Sequence, residues 1–264
     1  MSATPLQSVK GSKVPSGISD AEWKMRCDLA AAYRLVAHFG WTDMLGTHLS
    51  ARIPNTEDHF LINPYGMLFE EITASSLVKV DQDGNILSDT DYMINPAGFV
   101  IHSCIHVARP DVDCVMHLHT RDGNAVATQK CGLLPITQHA LVIYDQVTYH
   151  DYEGPALDFD EQKRLVADLG DKRIMILRNH GTLTAGRSVA EAFVLMYRIE
   201  RACRMQIAAQ SGGQELYPLP QSVIDKSIKI GQQLYSKGGL SPEGEKEWKA
   251  LMRKLEREGE DYMH

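Results

Sequence analysis

Two short runs restrict the fold more than any other feature of the chain: Val112-Asp113-Cys114-Val115-Met116-His117-Leu118 and Arg173-Ile174-Met175-Ile176-Leu177. Both are short and mostly apolar, and the first is rich in β-branched side chains, the texture of strands. A helical pattern lies between them around Asp160 to Leu169, so strands and helices alternate in the α/β manner. Each run also leads directly into histidine, His117 and His119 for the first and His180 for the second.

The rest of the chain fills in around these strands. Ser19-Asp20-Ala21-Glu22 is a capping pattern, and apolar residues at helical spacing through Leu29, Tyr33 and Val36 predict a helix ending near Phe39-Gly40. From Thr47 to Leu87 the runs around His48–Ile53, His59–Ile62 and Leu77–Val80 are broken by Pro64, Gly66 and an Asp81–Gly84 turn, which predicts an antiparallel meander. Asn95-Pro96 opens a helix that Arg109-Pro110 closes, and Ser188 opens a long one running to about Gln210. The division expected is a flexible leader over residues 1–18, one domain over 19–212, and a helical extension over 213–264. That extension ends in a charged helix, Glu245 to Glu258, and is expected to be solvated or packed on the domain or on a neighbouring subunit.

Composition narrows the function. With 264 residues, 44% hydrophobic and 23% charged, the chain can build one large core. A formal charge of -7 provides no general basic field for a phosphate backbone, so no nucleic-acid partner is expected. No run reaches the length of a membrane span, and the N-terminus lacks the apolar stretch of a signal peptide. Five cysteines without a C-x-x-C pair read as reduced thiols, which makes the cytoplasm the expected location.

The histidines carry the chemistry. Side chains two apart on a strand point the same way, so His117 and His119 offer two imidazoles on one face. His180 follows a strand and precedes Gly181, a glycine expected to free the backbone to turn and aim the ring into a pocket. Three neutral imidazoles with an open position suit zinc, and iron(II) or manganese is chemically admissible. His102 and His106 stand four apart on a predicted helix and share a face.

The stretches Ile62-Asn63-Pro64-Tyr65-Gly66, Thr73-Ala74-Ser75-Ser76-Leu77-Val78-Lys79-Val80, Ala97-Gly98-Phe99, His117-Leu118-His119-Thr120, Cys131-Gly132-Leu133-Leu134-Pro135-Ile136 and Leu177-Arg178-Asn179-His180-Gly181 resemble the class II aldolase/adducin family over about Ala21 to Gln210. The likeness is nearer to the adducin head and its bacterial relatives than to the sugar-phosphate aldolases. The resemblance implies a three-layer α/β/α sandwich with a mainly antiparallel sheet, a homotetramer with sites at subunit interfaces, and His117, His119 and His180 as ligands of a divalent metal. The chain departs from the aldolase pattern in two places. Gly98 stands where the family's catalytic glutamate is expected, and Thr47-His48-Leu49-Ser50, Tyr65-Gly66 and Ala97-Gly98 replace the phosphate-binding loops.

By the same likeness His139 falls near the position of the aldolases' catalytic tyrosine. Its imidazole, or that of His102, is the candidate proton carrier, with His48, Tyr65 and Gly66 as candidates for contact with a small-molecule substrate. The expected function is a metal-dependent lyase, retro-aldol or decarboxylating, for a non-phosphorylated carbonyl or keto acid. The alternatives are a non-haem iron oxygenase on the same scaffold and a non-catalytic, adducin-like scaffold protein.

Overall fold

The computed structural model describes residues 14–56, 58–154 and 159–264. Most of the leader predicted for residues 1–18 lies outside them.

Among the described residues seven strands make one sheet: β1 (His48–Arg52), β2 (Phe60–Ile62), β3 (Val78–Val80), β4 (Cys114–Leu118), β5 (Val147–His150), β6 (Ile174–Leu177) and β7 (Gly181–Gly186). Their order is β3-β2-β1-β4-β7-β6-β5, and only the β5–β6 pair is parallel. The meander expected from Thr47 to Leu87 is β1–β2–β3. A parallel pair needs a crossover, and the helix Phe159–Leu169 supplies it between β5 and β6.

The helices are α1 (Asp20–His38), α2 (Pro96–Ala108), α3 (Arg121–Ala127), α4 (Gln138–Leu141), α5 (Phe159–Leu169), α6 (Val189–Ser211), α7 (Gln221–Tyr235) and α8 (Glu245–Glu258). Serine caps fix two of the starts: Ser19 Oγ accepts from Glu22 N at 3.1 Å, and Ser188 Oγ accepts from Glu191 N at 3.1 Å.

Strand alternation divides the core into layers. Cys114, Met116 and Leu118 of β4 face a cluster with Leu29 and Tyr33 of α1, Phe193 and Ile199 of α6, and Leu255 of α8. Val115 faces the other way, into a cluster with Ile101 and Ile105 of α2 and Leu165 and Leu169 of α5. Helices therefore cover both faces of a mainly antiparallel sheet, the three-layer α/β/α arrangement.

The C-terminal residues close onto this same body. Trp248, Leu255 and Tyr262 are buried in the α1–α6 core, Ala74 N donates to Tyr262 O at 2.8 Å, and Ser75 N donates to His264 O at 2.9 Å. Strands β5 and β7 and helices α3, α4 and α7 are additions to what the sequence predicts. In β7 the alternating hydroxyls look solvent-facing, but Thr182 and Thr184 are fully buried and bonded to α6, Thr184 through Ala192 O at 2.9 Å. Among the described residues no helix is long and apolar enough to cross a membrane.

Candidate metal centre

β4 and the β6–β7 hairpin bring the three predicted histidines together. His117 lies within β4 and His119 just beyond its end, while Leu177 pairs with Gly181 so that Arg178-Asn179-His180 forms the hairpin loop. The turn is made by Asn179, at φ 57°, with His180 N donating to Leu177 O at 3.1 Å. Gly181 was expected to release the backbone, but the structure gives it a different task. A Cβ there would stand 2.5 Å from Leu118 O and 3.1 Å from both His117 Cε1 and His119 Cδ2, so its bare backbone permits the hairpin to close on the imidazoles.

The ring centroids of His117, His119 and His180 are 4.7, 4.7 and 4.8 Å apart, and one nitrogen from each lies within 4.8 Å of the others. Hydrogen bonds fix two of the tautomers. His117 Nδ1 is 3.1 Å from the Thr182 carbonyl and His119 Nδ1 is 2.9 Å from Asp43 Oδ2. Both partners accept, so each Nδ1 carries a hydrogen, and in its neutral form each ring keeps a lone pair on Nε2. The two Nε2 atoms face each other at 2.9 Å. Lone pairs so close repel unless a cation sits beside them, and nitrogens around tetrahedral zinc are spaced by about 3.3 Å. Burial, then the neighbouring imidazoles His180 and His119, hold His117 well below the usual histidine range, which disfavours a proton as that cation. His180 is lowered to about 4, by burial and then by His119 and His150. Neutral rings with an outer nitrogen held by a carbonyl or carboxylate are what a divalent metal requires.

A second group of histidines lies on the same face of the sheet. His48 is the register partner of His117 in β1, and its ring stacks at 6.3 Å and 25° from that of His117. His48 is buried, and among the described residues neither of its ring nitrogens has a hydrogen-bond partner. A Cβ at Gly98 would come within 2.5 to 2.7 Å of three His48 ring atoms, so the imidazole fills the space a residue-98 side chain would enter. His102 and His106 do share a face, and Ser50 Oγ joins them, 2.7 Å from His102 Nδ1 and 2.8 Å from His106 Nε2. His106 Nδ1 lies 3.4 Å from the Val112 carbonyl and so donates to it. Ser50 must then donate to His106 and accept from His102 Nδ1, which leaves His102 Nε2 a buried lone pair without a partner among the described residues. The His102 ring stands 5.8 Å from that of His48, at 88°.

The other candidates are placed apart from this cluster. His139 lies on α4, where burial and then Arg198 and Arg201 lower its pKa, and among the described residues it has no hydrogen bond or ring contact with the three imidazoles. Tyr65 is 44% exposed and donates its backbone N–H to Met93 O at 2.7 Å, and Gly66 turns the chain at φ 110°. Two residues escaped the sequence reading. Asp43 is distant in sequence from His119 and sits in an unpatterned turn, so nothing local announces it. Tyr152 brings its ring to 6.1 Å from His180, while His150 Nδ1 bonds Asp168 Oδ2 at 2.7 Å.

Residues 27–207 match the model of the Class II Aldolase and Adducin N-terminal domain. A candidate class 2 aldolase protein of Caulobacter vibrioides is 53% identical over 98% of both chains. Alpha-adducin of Mus musculus is 41% identical over 97% of this chain and 36% of its own length. The structure of L-fuculose 1-phosphate aldolase from Glaciozyma antarctica PI12 superposes with a TM-score of 0.79 at 26% identity, covering 94% of this chain and 96% of that one. Identity thus falls from the bacterial relative through adducin to the sugar-phosphate aldolase, the order the motifs imply. On a match spanning most of its length, the chain belongs to the class II aldolase and adducin family.

Proposed function

We propose that His117, His119 and His180 hold a divalent ion, zinc foremost, with Fe(II) or Mn(II) admissible, and that the protein is a metal-dependent lyase. The observation that carries this reading is the pair of facing Nε2 lone pairs, each fixed by an outer hydrogen bond to Thr182 or Asp43. When bound, the ion would polarise a carbonyl and stabilise the enolate left by retro-aldol cleavage or decarboxylation.

The chain's own residues shape the rest of the reading. The unpartnered nitrogens of His48 and His102 are a donor and an acceptor for a substrate oxygen or hydroxyl beside the metal. With His48 filling the space above Gly98, no carboxylate side chain enters there, and with Thr47-His48-Leu49-Ser50 and Tyr65-Gly66 in place of the phosphate-binding loops the site suits a non-phosphorylated carbonyl or keto acid. His139, whose pKa burial and the charges of Arg198 and Arg201 lower, is proposed to reach the site of a neighbouring copy in a homotetramer, with Tyr65-Gly66 as a further substrate-contacting loop. All five cysteines are free thiols, which supports a cytoplasmic setting.

The test is metal analysis of protein purified without chelators or nickel resin, followed by a screen of 2-keto acids and hydroxy-keto acids. About one equivalent of zinc, lost in His117→Ala together with turnover, is the expected result. Oxygen uptake by an iron(II)-loaded sample would move the reading to an oxygenase. The 41% identity to alpha-adducin favours one competing reading, a scaffold role. It becomes the better account if His117→Ala loses metal while the cellular phenotype is unchanged.

A further inference from the structure

We propose that Glu200 is a positioning residue for the metal centre, holding the two metal-bearing chain segments from the opposite face of the sheet. The inference rests on the metal reading above and concerns a group that touches neither the imidazoles nor the substrate space. Glu200 lies on α6, is 4% exposed, and has no ion-pair partner among the described residues. Its carboxylate instead accepts two hydroxyls: Thr120 donates to Oε2 and Thr182 donates to Oε1, the latter at 3.0 Å.

Both threonines belong to the segments that present the ligands. Thr182 in β7 turns its hydroxyl toward α6 while its carbonyl receives the His117 Nδ1–H at 3.1 Å. Thr120 follows His119 directly, caps α3 by accepting from Gly123 N at 3.1 Å, and so sets the direction in which the chain leaves the site. The packing leaves little play. A Cβ on Gly123 would stand 2.6 Å from Thr120 Oγ1, 2.7 Å from Glu200 Oε1 and 3.1 Å from Thr182 Cγ2. A buried carboxyl without a cation is costly, and an apolar side chain would pack there at less cost. What the carboxylate provides, and an apolar group does not, is a double acceptor tying Thr120 to Thr182 across the strand ends. It thereby fixes the outer bond of His117 and the backbone after His119.

The experiment uses the full chain stripped by chelator, at pH 8, where Glu200 is mostly ionised. It reads Zn(II) affinity by competition with a chromophoric chelator and ligand geometry from the visible bands of the Co(II)-loaded protein. An amide cannot accept from both hydroxyls, so Glu200→Gln is expected to weaken Zn(II) binding about tenfold and to alter the Co(II) spectrum. Thr182→Val, which keeps the backbone carbonyl but removes the hydroxyl, is expected to do the same, and Thr182→Ser to restore wild-type behaviour. Zn(II) affinities within twofold of wild type in both Glu200→Gln and Thr182→Val, with an unchanged Co(II) spectrum, overturn the proposal, even if the metal-free proteins melt earlier. Should Glu200→Gln fail to fold, the Thr182 pair decides. Wild-type protein that takes up neither metal overturns the metal reading and this inference with it, whereas wild-type binding with indifferent variants overturns this inference alone.

Discussion

At Gly98 two single-residue effects oppose each other, and their magnitudes say which wins. In the interior of a helix, glycine is less stable than alanine by about 0.5–1 kcal/mol, and Gly98 is the third residue of α2. Gly98→Ala gains that much in helix propensity, but its methyl group would press into the buried His48 ring at 2.5 to 2.7 Å. Overpacking of this kind costs about 1–3 kcal/mol, so the substitution is expected to destabilise the protein by up to about 2.5 kcal/mol. In a His48→Ala background, with the ring gone, the same change is expected to be neutral or stabilising. Urea unfolding of the four proteins in a double-mutant cycle measures the coupling, and additive effects would show that the two side-chain positions do not compete for space. The same competition means that Gly98→Glu by itself does not place a carboxylate in the site.

The elements show where secondary structure draws on distant chain. α8 carries charge on most of its surface, yet Leu255 is fully buried in the α1–α6 core and Trp248 nearly so. Truncating a buried leucine removes transfer free energy and leaves a cavity, together about 2–5 kcal/mol. Leu255→Ala is therefore expected to lower the stability of the whole domain by that amount in a single cooperative transition. A separate early transition, with the main one unmoved, would mean that the tail folds apart from the sheet. The β6–β7 hairpin behaves in the converse way: its loop is local, but its reason is not. Gly181 is tight against Leu118 O because β4 lies beside it, a constraint invisible within the hairpin's own residues.

On the scale of the whole molecule, the buried imidazoles make stability depend on pH. Burial lowers His48 to about 4, with His119 and His180 adding to the shift, and lowers His106 to about 3, with Arg52 adding to it. In the unfolded chain these groups take up protons near 6.5, so between pH 6.5 and their folded values the unfolded state binds more protons. Their contribution is complete above pH 6.5 and is lost as the pH falls below it, by up to about 1.4 kcal/mol per unit for each group. Glu200 acts in the opposite sense, since burial raises it from 4.5 to about 7 and the folded state then binds the extra proton in that interval. Two imidazoles outweigh one carboxyl, so metal-free protein is expected to lose thermal stability from pH 7 to pH 5, more steeply in Glu200→Gln. Melting temperatures that are flat or rising toward pH 5 would contradict this balance.

Much of the fold is legible in the sequence because its signals are local. The serine caps of α1 and α6, the turns of the meander, and the two apolar strand runs each fix their element through neighbours a few residues away. The H-x-H spacing on a strand already places His117 and His119 on one face, and the motif after β6 adds His180. Contacts between distant segments carry no such period. Only the folded chain brings Asp43 to His119, Tyr152 to His180 and Glu200 behind both metal-bearing segments, and only it shows that His48 occupies the space above Gly98. The residue types that meet at the centre are written in the sequence, since ligand chemistry belongs to single side chains. Their tautomers, their lone pairs and what holds them are decided by tertiary structure, because hydrogen-bond partners and burial exist only once the strands are paired.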